Sequence, residues 1–196
     1  MKIKSLLYII AILFIVKYSI AQQPGSLTDS RDGKTYKTMK IGNQIWMAEN
    51  LNFNTNSGSW CYENDTSNCI KYGRLYNWDT AKKVCPSGWH LPSDEEWITL
   101  SDNIGSEVGT KLRSTYGWNE NGNGTDAYGF TVLPGGYRNY DDIFCFVESY
   151  GTWWSSTMLD TASAWGRSVG YGNSGIGRGN SSKLDGFSVR CVKDFK

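Results

Sequence analysis

The sequence predicts an α+β domain, in which a few short helices pack against antiparallel strands. Strand-like segments occur at 34–47 and again from about 128 to 193, and segments with helical spacing lie between them. The 196 residues include nine Trp, twelve Tyr and seven Phe, which is enough to bury one substantial core. This aromatic content excludes a disordered chain.

A β-hairpin is predicted near the start of the folded part. Residues 34–41 and 44–47 are strand-like and flank Gly42-Asn43, a dipeptide typical of two-residue hairpin turns. Because residues 49–60 are polar and rich in turn formers, we expect a loop after the hairpin.

Helices are indicated by spacing and by their end signals. The first spans about 78–85 and ends before Pro86. Ser93 and Glu96 form a capping box, in which each side chain accepts a hydrogen bond from the other residue's backbone. This capping role also accounts for the acidic cluster that follows Ser93, without invoking acid–base catalysis. A weaker helix is predicted at 106–113.

The C-terminal half is predicted to form short strands joined by glycine-rich turns, at 128–134, 143–147, 152–157, 164–171 and 186–193. In the last segment Phe187, Val189 and Cys191 alternate with polar residues, so we expect these three side chains to face the core. The glycines between positions 170 and 179 are not followed by a helix, which favours a hairpin over a phosphate-binding loop.

The N-terminus resembles a secretory signal peptide. Lys2 and Lys4 precede an uninterrupted apolar run over residues 6–16, and residues 19–21 supply small side chains for cleavage after Ala21. The apolar run is shorter than the about 20 residues that span a bilayer. We therefore expect no transmembrane segment after cleavage.

Three parts of the chain follow from this cleavage site: a signal peptide at 1–21, a flexible leader at 22–30 and a single domain at 31–196. The signal peptide contains three of the 20 basic residues, so 17 basic residues remain against 19 acidic ones. This balance excludes a strongly basic nucleic-acid-binding protein. The protein is expected to be exported, either secreted, periplasmic or on the outer cell surface.

All five cysteines lie after the expected cleavage site, where export favours disulfide bonds. Spacing alone does not select one pairing pattern. Cys61 and Cys69 flank a short polar turn and are expected to form a local bridge. Cys145 lies in a segment that is apolar on both faces and is expected to be a buried free thiol. Cys85 and Cys191 then remain as a long-range pair.

No cofactor is expected. Oxygen-bearing side chains recur at Asn119, Asn121, Asn123 and Asp126 with a spacing that resembles a calcium-binding loop, and we call these residues the calcium-like segment. Phe130 stands where an EF-hand loop requires Glu. Turn chemistry accounts for this segment better than a metal site does.

His90 is the single histidine of the chain. A nucleophile–histidine pair would need a serine or Cys145 brought to it from elsewhere in the chain. We therefore expect His90 to be structural and hydrogen-bonded in the loop before the capped helix.

The candidate ligand-binding residues lie mainly between Gly117 and Gly151, a long irregular stretch that combines aromatic and polar groups. Exposed Tyr and Arg are common anchors at interfaces. Neighbouring side chains of a strand point to opposite faces, so one residue of the pair Trp153-Trp154 can enter the core while the other faces outward or into a cleft. Core packing is the commoner fate of a Trp, and a purely structural role is the alternative for the other candidates. The candidates are Tyr137, Arg138, Tyr140, Asp141, Asp142 and Trp154.

Several long motifs of the sequence resemble the Fibrobacter major paralogous domain, a family of bacterial exported domains. The resemblance covers about residues 29–195 and names a domain without implying an activity. It is carried by segments 32–36, 41–51, 72–78, 85–92 and 186–192.

A looser similarity connects the sequence with the C-type lectin-like fold, which the formylglycine-generating enzymes share. It rests on a helix that ends in Cys85, the segment 90–97 and a closing strand with Cys191. The similarity implies a disulfide between Cys85 and Cys191. The catalytic cysteine pair of those enzymes has no counterpart in residues 146–190, and the calcium-binding strings of the lectins do not occur.

These observations predict a binding module without catalytic activity, secreted or exposed on the surface, whose ligand is a glycan or another protein. A hydrolase with paired carboxylates is the first alternative, built from Asp126, Asp141 or Asp142. A purely structural protein of the cell envelope is the second.

Overall fold

The computed structural model describes residues 24–194 and confirms the α+β class, with short helices, curled sheets and two disulfides. The expected signal peptide lies outside the described residues. The helices are α1 (Thr66–Tyr72), α2 (Trp78–Val84), α3 (Asp94–Ile104) and α4 (Val108–Leu112), with a 3₁₀ turn at Tyr62–Asn64. Within residues 24–194 no helix is long and apolar enough to cross a membrane.

The strands form two main sheets. The strands are β1 (Pro24–Thr28), β2 (Thr35–Ile41), β3 (Gln44–Met47), β4 (Ser59–Trp60), β5 (Leu75–Tyr76), β6 (Trp89–His90), β7 (Gly135–Arg138), β8 (Phe144–Val147), β9 (Tyr150–Met158), β10 (Ser163–Gly170), β11 (Gly177–Ser182), β12 (Phe187–Ser188) and β13 (Val192–Lys193). The first sheet has the order β1-β2-β3-β13-β6, and the second has the order β11-β10-β9-β12-β5-β4.

The predicted N-terminal hairpin is confirmed, with Ile41 paired to Gln44 across the turn. The segment before it differs from the expectation of a flexible leader over 22–30. Residues 24–28 form β1, which pairs antiparallel with β2. Leu27 packs against the core, and this contact together with the strand pairing accounts for the order of the segment.

A second hairpin stands at the side of the larger sheet. Strand β7 pairs in parallel with β9 through Gly136 and Gly151, and it pairs antiparallel with β8. Strand β8 is bonded only to β7 among the described strands. One side of β8 therefore has no strand beside it.

The core consists of two clusters, and strand β9 contributes to both. Trp153 belongs to one cluster and Trp154 to the other, and their exposed fractions are 1% and 0%. The expectation that one of the two faces outward is therefore wrong. Trp78 of α2 packs in the cluster of Trp154 and Trp97 of α3 packs in that of Trp153, so both faces of β9 are covered.

The helices predicted at 78–85 and after Ser93 are confirmed. Ser93 Oγ accepts a hydrogen bond from the Glu96 amide at 3.1 Å, and Glu96 accepts one from the Ser93 amide at 2.7 Å. Helix α4 is shorter than predicted. Helix α1 was not predicted from the polar segment between Cys61 and Cys69, although Asp65 caps it by accepting a hydrogen bond from the Ser67 amide.

The strand predicted at 128–134 is absent from the described structure, where only an isolated bridge joins Val132 to Arg113. Thr131 has a φ of 49°, which interrupts an extended backbone. The last predicted strand, 186–193, is divided into β12 and β13 because this segment passes from one sheet to the other.

This passage between sheets also buries residues that alternation predicts to be exposed. Phe187, Val189 and Cys191 face the core as predicted, but Arg190 is buried as well. Its guanidinium donates to the Asn50 side chain at 2.8 Å and to backbone carbonyl oxygens of neighbouring loops. Residues 187–192 are therefore covered by other parts of the protein on both faces.

Both expected disulfides are confirmed. Cys61 is bonded to Cys69, and Cys85 is bonded to Cys191 with a Cα–Cα distance of 5.9 Å. Cys145 is a free thiol, but it is half-buried rather than buried. The apolar segment around it forms β8, whose outer side has no strand partner.

Candidate functional site

A cleft of about 560 Å³ lies between the β7–β8 hairpin and the face formed by β9, β10 and β11. Its volume is within the range of about 300–1,000 Å³ that is typical of small-ligand sites. We call it the aromatic cleft; its walls are formed by Tyr137, Asn139, Tyr140, Phe146, Tyr150, Thr152, Gly166, Arg167, Ser168, Gly179, Asn180, Ser181, Asp185 and Phe187.

The aromatic side chains of the cleft form a continuous column from the surface into the core. Phe146, which is 55% exposed, stacks on Tyr137 with ring centroids 5.9 Å apart. Tyr137 meets the Phe187 ring edge to face at 5.7 Å, and Phe187 stacks on buried Trp154 at 4.2 Å. The exposed ring is thereby supported by rings that the core holds in place.

The backbone at Phe146 is in a conformation that bulky residues rarely adopt. Its φ is 61°, in the left-handed region, although it lies within strand β8. Gly136 on the neighbouring strand is also left-handed, and a Cβ there would lie 2.4 Å from the Cys145 carbonyl oxygen. Strained backbone that the surrounding structure maintains is concentrated at functional sites.

Contacts to β9 hold this hairpin beside the cleft. The Thr152 hydroxyl donates to the Gly136 carbonyl oxygen at 3.0 Å. The backbones of Arg138 and Gly186 exchange two hydrogen bonds, at 3.0 and 2.7 Å, which join the hairpin to the turn before β12. Strand β7, whose Tyr137 stacks on Phe146, is thus held from two directions.

Asp185 supplies a carboxylate to the cleft wall. It lies in the turn between β11 and β12 and is 7% exposed. Within the described part of the chain, its Oδ1 has no hydrogen-bond partner and its carboxylate makes no salt bridge. Burial raises the pKa of Asp185. Donor groups of Tyr140, Ser181 and Ser182 and the charge of Arg138 oppose this rise.

Arg167 is the second charged residue of the wall, and its charge is compensated. Its guanidinium lies 2.6 Å from a carboxylate oxygen of Asp94 and also donates to the Asp94 carbonyl oxygen. Burial lowers the pKa of Arg167, and the neighbouring Asp94 carboxylate opposes that shift. Asp185 is therefore the charged group of the wall that has no ion-pair partner.

Of the six ligand-binding candidates from the sequence, the structure places Tyr137 and Tyr140 in the aromatic cleft. Arg138 instead contacts Asp142 and lies over the Trp60 ring at 4.0 Å. Asp141 is exposed in the same turn. These three charged residues stabilise or surround the β7–β8 turn and do not line the cleft.

Trp154 is a correction to the predicted site. It is fully buried, and its indole N–H donates to the Tyr76 carbonyl oxygen at 2.7 Å. Its contribution to the cleft is the support it gives to Phe187. It does not offer an exposed stacking surface.

Most side chains of the calcium-like segment form hydrogen bonds with residues of the surrounding loops. Asn123 accepts from the Trp118 amide, Asn119 donates to Ser149, and Asn121 is exposed. Both carboxylate oxygens of Asp126 accept from Thr131, at 2.7 and 2.8 Å. Among residues 24–194 no group of three or more His, Cys, Asp or Glu side chains is arranged to hold a metal ion.

The carboxylates of the hydrolase alternative lie in two separate loops. Asp126 is engaged by Thr131, whereas Asp141 and Asp142 belong to the β7–β8 turn. The aromatic cleft is lined by none of the three.

His90 lies outside the cleft and joins the C-terminal segment to helix α3. Its Nδ1 is 2.6 Å from Asp194, and its Nε2 is 2.8 Å from Glu96. Burial acts to lower the pKa of His90, but the two carboxylates outweigh it and the pKa is raised.

Sequence reasoning missed Phe146, Tyr150 and Asp185 as cleft residues. The apolar segment 143–147 was interpreted as a buried strand, and Asp185 stood in an ordinary turn before the last strand. These residues come from separate segments, so no local spacing connects them. The available signal was the aromatic density between positions 137 and 150.

The comparisons with known proteins give one result. The family model described as "Fibrobacter succinogenes major domain" matches residues 39–193. No curated protein and no solved structure gave a significant match. The matched region spans most of the chain and contains both disulfides and the aromatic cleft. The chain belongs to the Fibrobacter succinogenes major domain family.

Proposed function

We propose that this protein is a non-catalytic binding module that holds a glycan in the aromatic cleft. The observation that carries the proposal is the combination, in one cleft, of exposed aromatic rings and converging polar groups. Phe146 and Tyr140 expose their rings, while Asn139, Asn180 and Asp185 supply hydrogen-bonding groups nearby.

Sugar rings fit this arrangement for a physical reason. One face of a pyranose carries mainly C–H groups, which pack on an aromatic ring, and the hydroxyls at its rim need hydrogen-bond partners. Small-ligand sites combine apolar walls with a few fixed polar groups in this way. The column of rings beneath Phe146 keeps the ring in place, which reduces the entropy lost on binding.

The scaffold proposed for this function is C-type lectin-like. Its support is the Cys85–Cys191 disulfide, which joins the end of an early helix to the closing segment. Irregular loops and short strands around β9 then form the binding side.

Export is part of the same proposal. Two disulfides and the apolar N-terminal run support it. Mass spectrometry of the protein recovered outside the cytoplasm of a bacterial host should show a mature chain that begins at Gln22. Recovery of the intact chain with Met1 would contradict the predicted cleavage.

A glycan array probed with the exported protein tests the binding function. We expect at least one glycan class to bind, and we expect Phe146→Ala to weaken that binding about tenfold, as the loss of one stacked ring predicts. Tyr140→Ala should weaken it in the same direction.

Matched controls come from exposed side chains outside the cleft. Ile143→Ala removes an exposed apolar group of the same hairpin, and Tyr116→Ala removes an exposed tyrosine elsewhere. Neither should change the affinity. Absence of binding at millimolar glycan, or binding that Phe146→Ala leaves unchanged, would overturn the proposal.

A further inference from the structure

The charge of Asp185 bears on the chemical class of the ligand. A carboxylate that is 7% exposed has lost most of its hydration, and Oδ1 receives no hydrogen bond from any residue in the described range. Donor groups of Tyr140, Ser181 and Ser182 act on the carboxylate, but they leave Oδ1 unsatisfied. Burying a charge whose hydrogen bonds are incomplete is costly, so a group that brings a further donor or a positive charge is favoured at this place.

The neighbouring arginines are committed to other carboxylates. Arg138 pairs with Asp142, and Arg167 shares Asp94 with Arg178. Within residues 24–194 none of the three forms a salt bridge with Asp185, although the charge of Arg138 acts on it from a greater distance. A cationic ligand can therefore supply the direct ion pair that Asp185 lacks.

The aromatic walls act in the same direction. The face of a Tyr or Phe ring carries partial negative charge and attracts a cation within about 6 Å of its centroid. Tyr137, Tyr140 and Phe146 line the same cleft as Asp185. Rings and carboxylate together favour a positively charged group that also has an apolar face.

We propose that the ligand of the aromatic cleft is a cationic amino sugar, whose ammonium group is bound by Asp185 while its ring packs on Phe146. This inference rests on the proposed glycan-binding function and adds the charge of the ligand. Asp185 is then the residue that determines specificity, and Phe146 is the residue that binds any sugar ring.

Three oligosaccharides of the same backbone separate charge from shape. The trimers of β-1,4-linked glucosamine, N-acetylglucosamine and glucose differ only at C2, which carries an ammonium, an acetamide or a hydroxyl group. Affinities are measured by NMR titration of the mature protein, exported from a bacterial host, at about pH 6, where most amines of the glucosamine trimer carry a proton.

We expect the glucosamine trimer to bind about tenfold more tightly than the glucose trimer, since a hydrogen bond to a charged group is stronger than a neutral one. Asp185→Asn should reduce this preference to about threefold or less. Asp141→Asn is the matched control, because it removes an acidic residue of the adjacent turn that does not line the cleft, and it should leave the preference unchanged. Thermal unfolding of both variants shows whether they fold.

The comparison of the three trimers on the unmodified protein needs no variant. Equal affinity for all three, or a preference that Asp185→Asn leaves intact, overturns the inference.

Other outcomes distinguish this inference from the glycan-binding function. If only neutral trimers bind and Phe146→Ala abolishes that binding, the inference is wrong and the glycan-binding function stands. If neither the trimers nor any glycan of the array bind, both fail. Tighter binding of a tri-lysine peptide than of the glucosamine trimer would assign the cleft to a basic protein segment.

Discussion

At the scale of single residues, Phe146 is distinguished by three properties that occur together. Its ring is more than half exposed, it stacks on Tyr137, and its backbone is left-handed. An L-residue in that region has its Cβ close to the following carbonyl oxygen, which costs about 1–2 kcal/mol. The fold maintains this strained residue at the edge of the aromatic cleft.

Two substitutions at this position separate backbone strain from ring contacts. Both Phe146→Gly and Phe146→Ala remove the ring, but only glycine relieves the strain. We expect the free energy of unfolding of the glycine variant, measured in urea, to exceed that of the alanine variant by about 1 kcal/mol. Equal stabilities would contradict the expected release of strain at residue 146.

His90 is a residue whose charge state affects stability. Because its pKa is raised in the folded protein, its ion pairs with Asp194 and Glu96 stabilise the fold fully below the unfolded pKa of about 6.5. This contribution is lost as the pH rises through the folded pKa.

Replacement of the imidazole should remove this dependence on pH. The unfolding free energy of the parent protein should decrease between about pH 6 and pH 8, and that of His90→Gln should decrease less over the same interval. Urea denaturation at several pH values measures both. Parallel curves for the two proteins would exclude a role for His90 in the decrease.

At the scale of elements, helix α3 shows how a short sequence signal places a large side chain. The capping box at Ser93 begins the helix, and Trp97 then enters the cluster that contains Trp46 and Trp153. Helix α1 shows the opposite case. Its polar sequence has little helical periodicity, and the Asp65 cap and the Cys61–Cys69 bridge hold it.

Removal of the cap measures its contribution. Ser93→Ala should lower the free energy of unfolding by about 1 kcal/mol, because the Glu96 amide loses its acceptor. Ser106→Ala is the control, since Ser106 is exposed before α4 and does not cap that helix. A cost of the same size at both positions would argue against the capping role.

At the scale of the whole molecule, the Cys85–Cys191 bridge joins segments that are 106 residues apart, whereas the Cys61–Cys69 bridge joins segments only 8 apart. A cross-link that closes a longer loop removes more entropy from the unfolded chain. The long-range bridge also holds the closing segment, which runs from β12 in one sheet to β13 in the other.

Paired alanine substitutions compare the two bridges. Loss of the Cys85–Cys191 bridge should lower the free energy of unfolding by about 4–5 kcal/mol, against about 2–3 kcal/mol for the Cys61–Cys69 bridge. Thermal and urea unfolding of the two double variants measure the difference. Equal costs, or a larger cost for the local bridge, would contradict the dependence on loop length.

Local signals determined a large part of the fold from the sequence. The Gly42-Asn43 turn, the Ser93 cap and the stop at Pro86 act through the backbone of a few adjacent residues, so their effects are visible without tertiary contacts. The Cys61–Cys69 bridge followed from its short polar turn, whereas the Cys85–Cys191 bridge followed from the remaining cysteines and from the resemblance to the lectin-like fold. The irregular stretch 117–151 contains part of the cleft wall.

Burial and the composition of the cleft were decided only by the tertiary structure. Whether Trp154 faces a cleft or a core depends on what covers the second face of β9, and α2 covers it. Asp185, Phe146 and Tyr137 line one cleft because β12 lies beside β9 in the sheet while β7 pairs with another part of β9. A sequence determines which groups are present and how its local turns form, whereas the pairing of distant strands determines which groups meet.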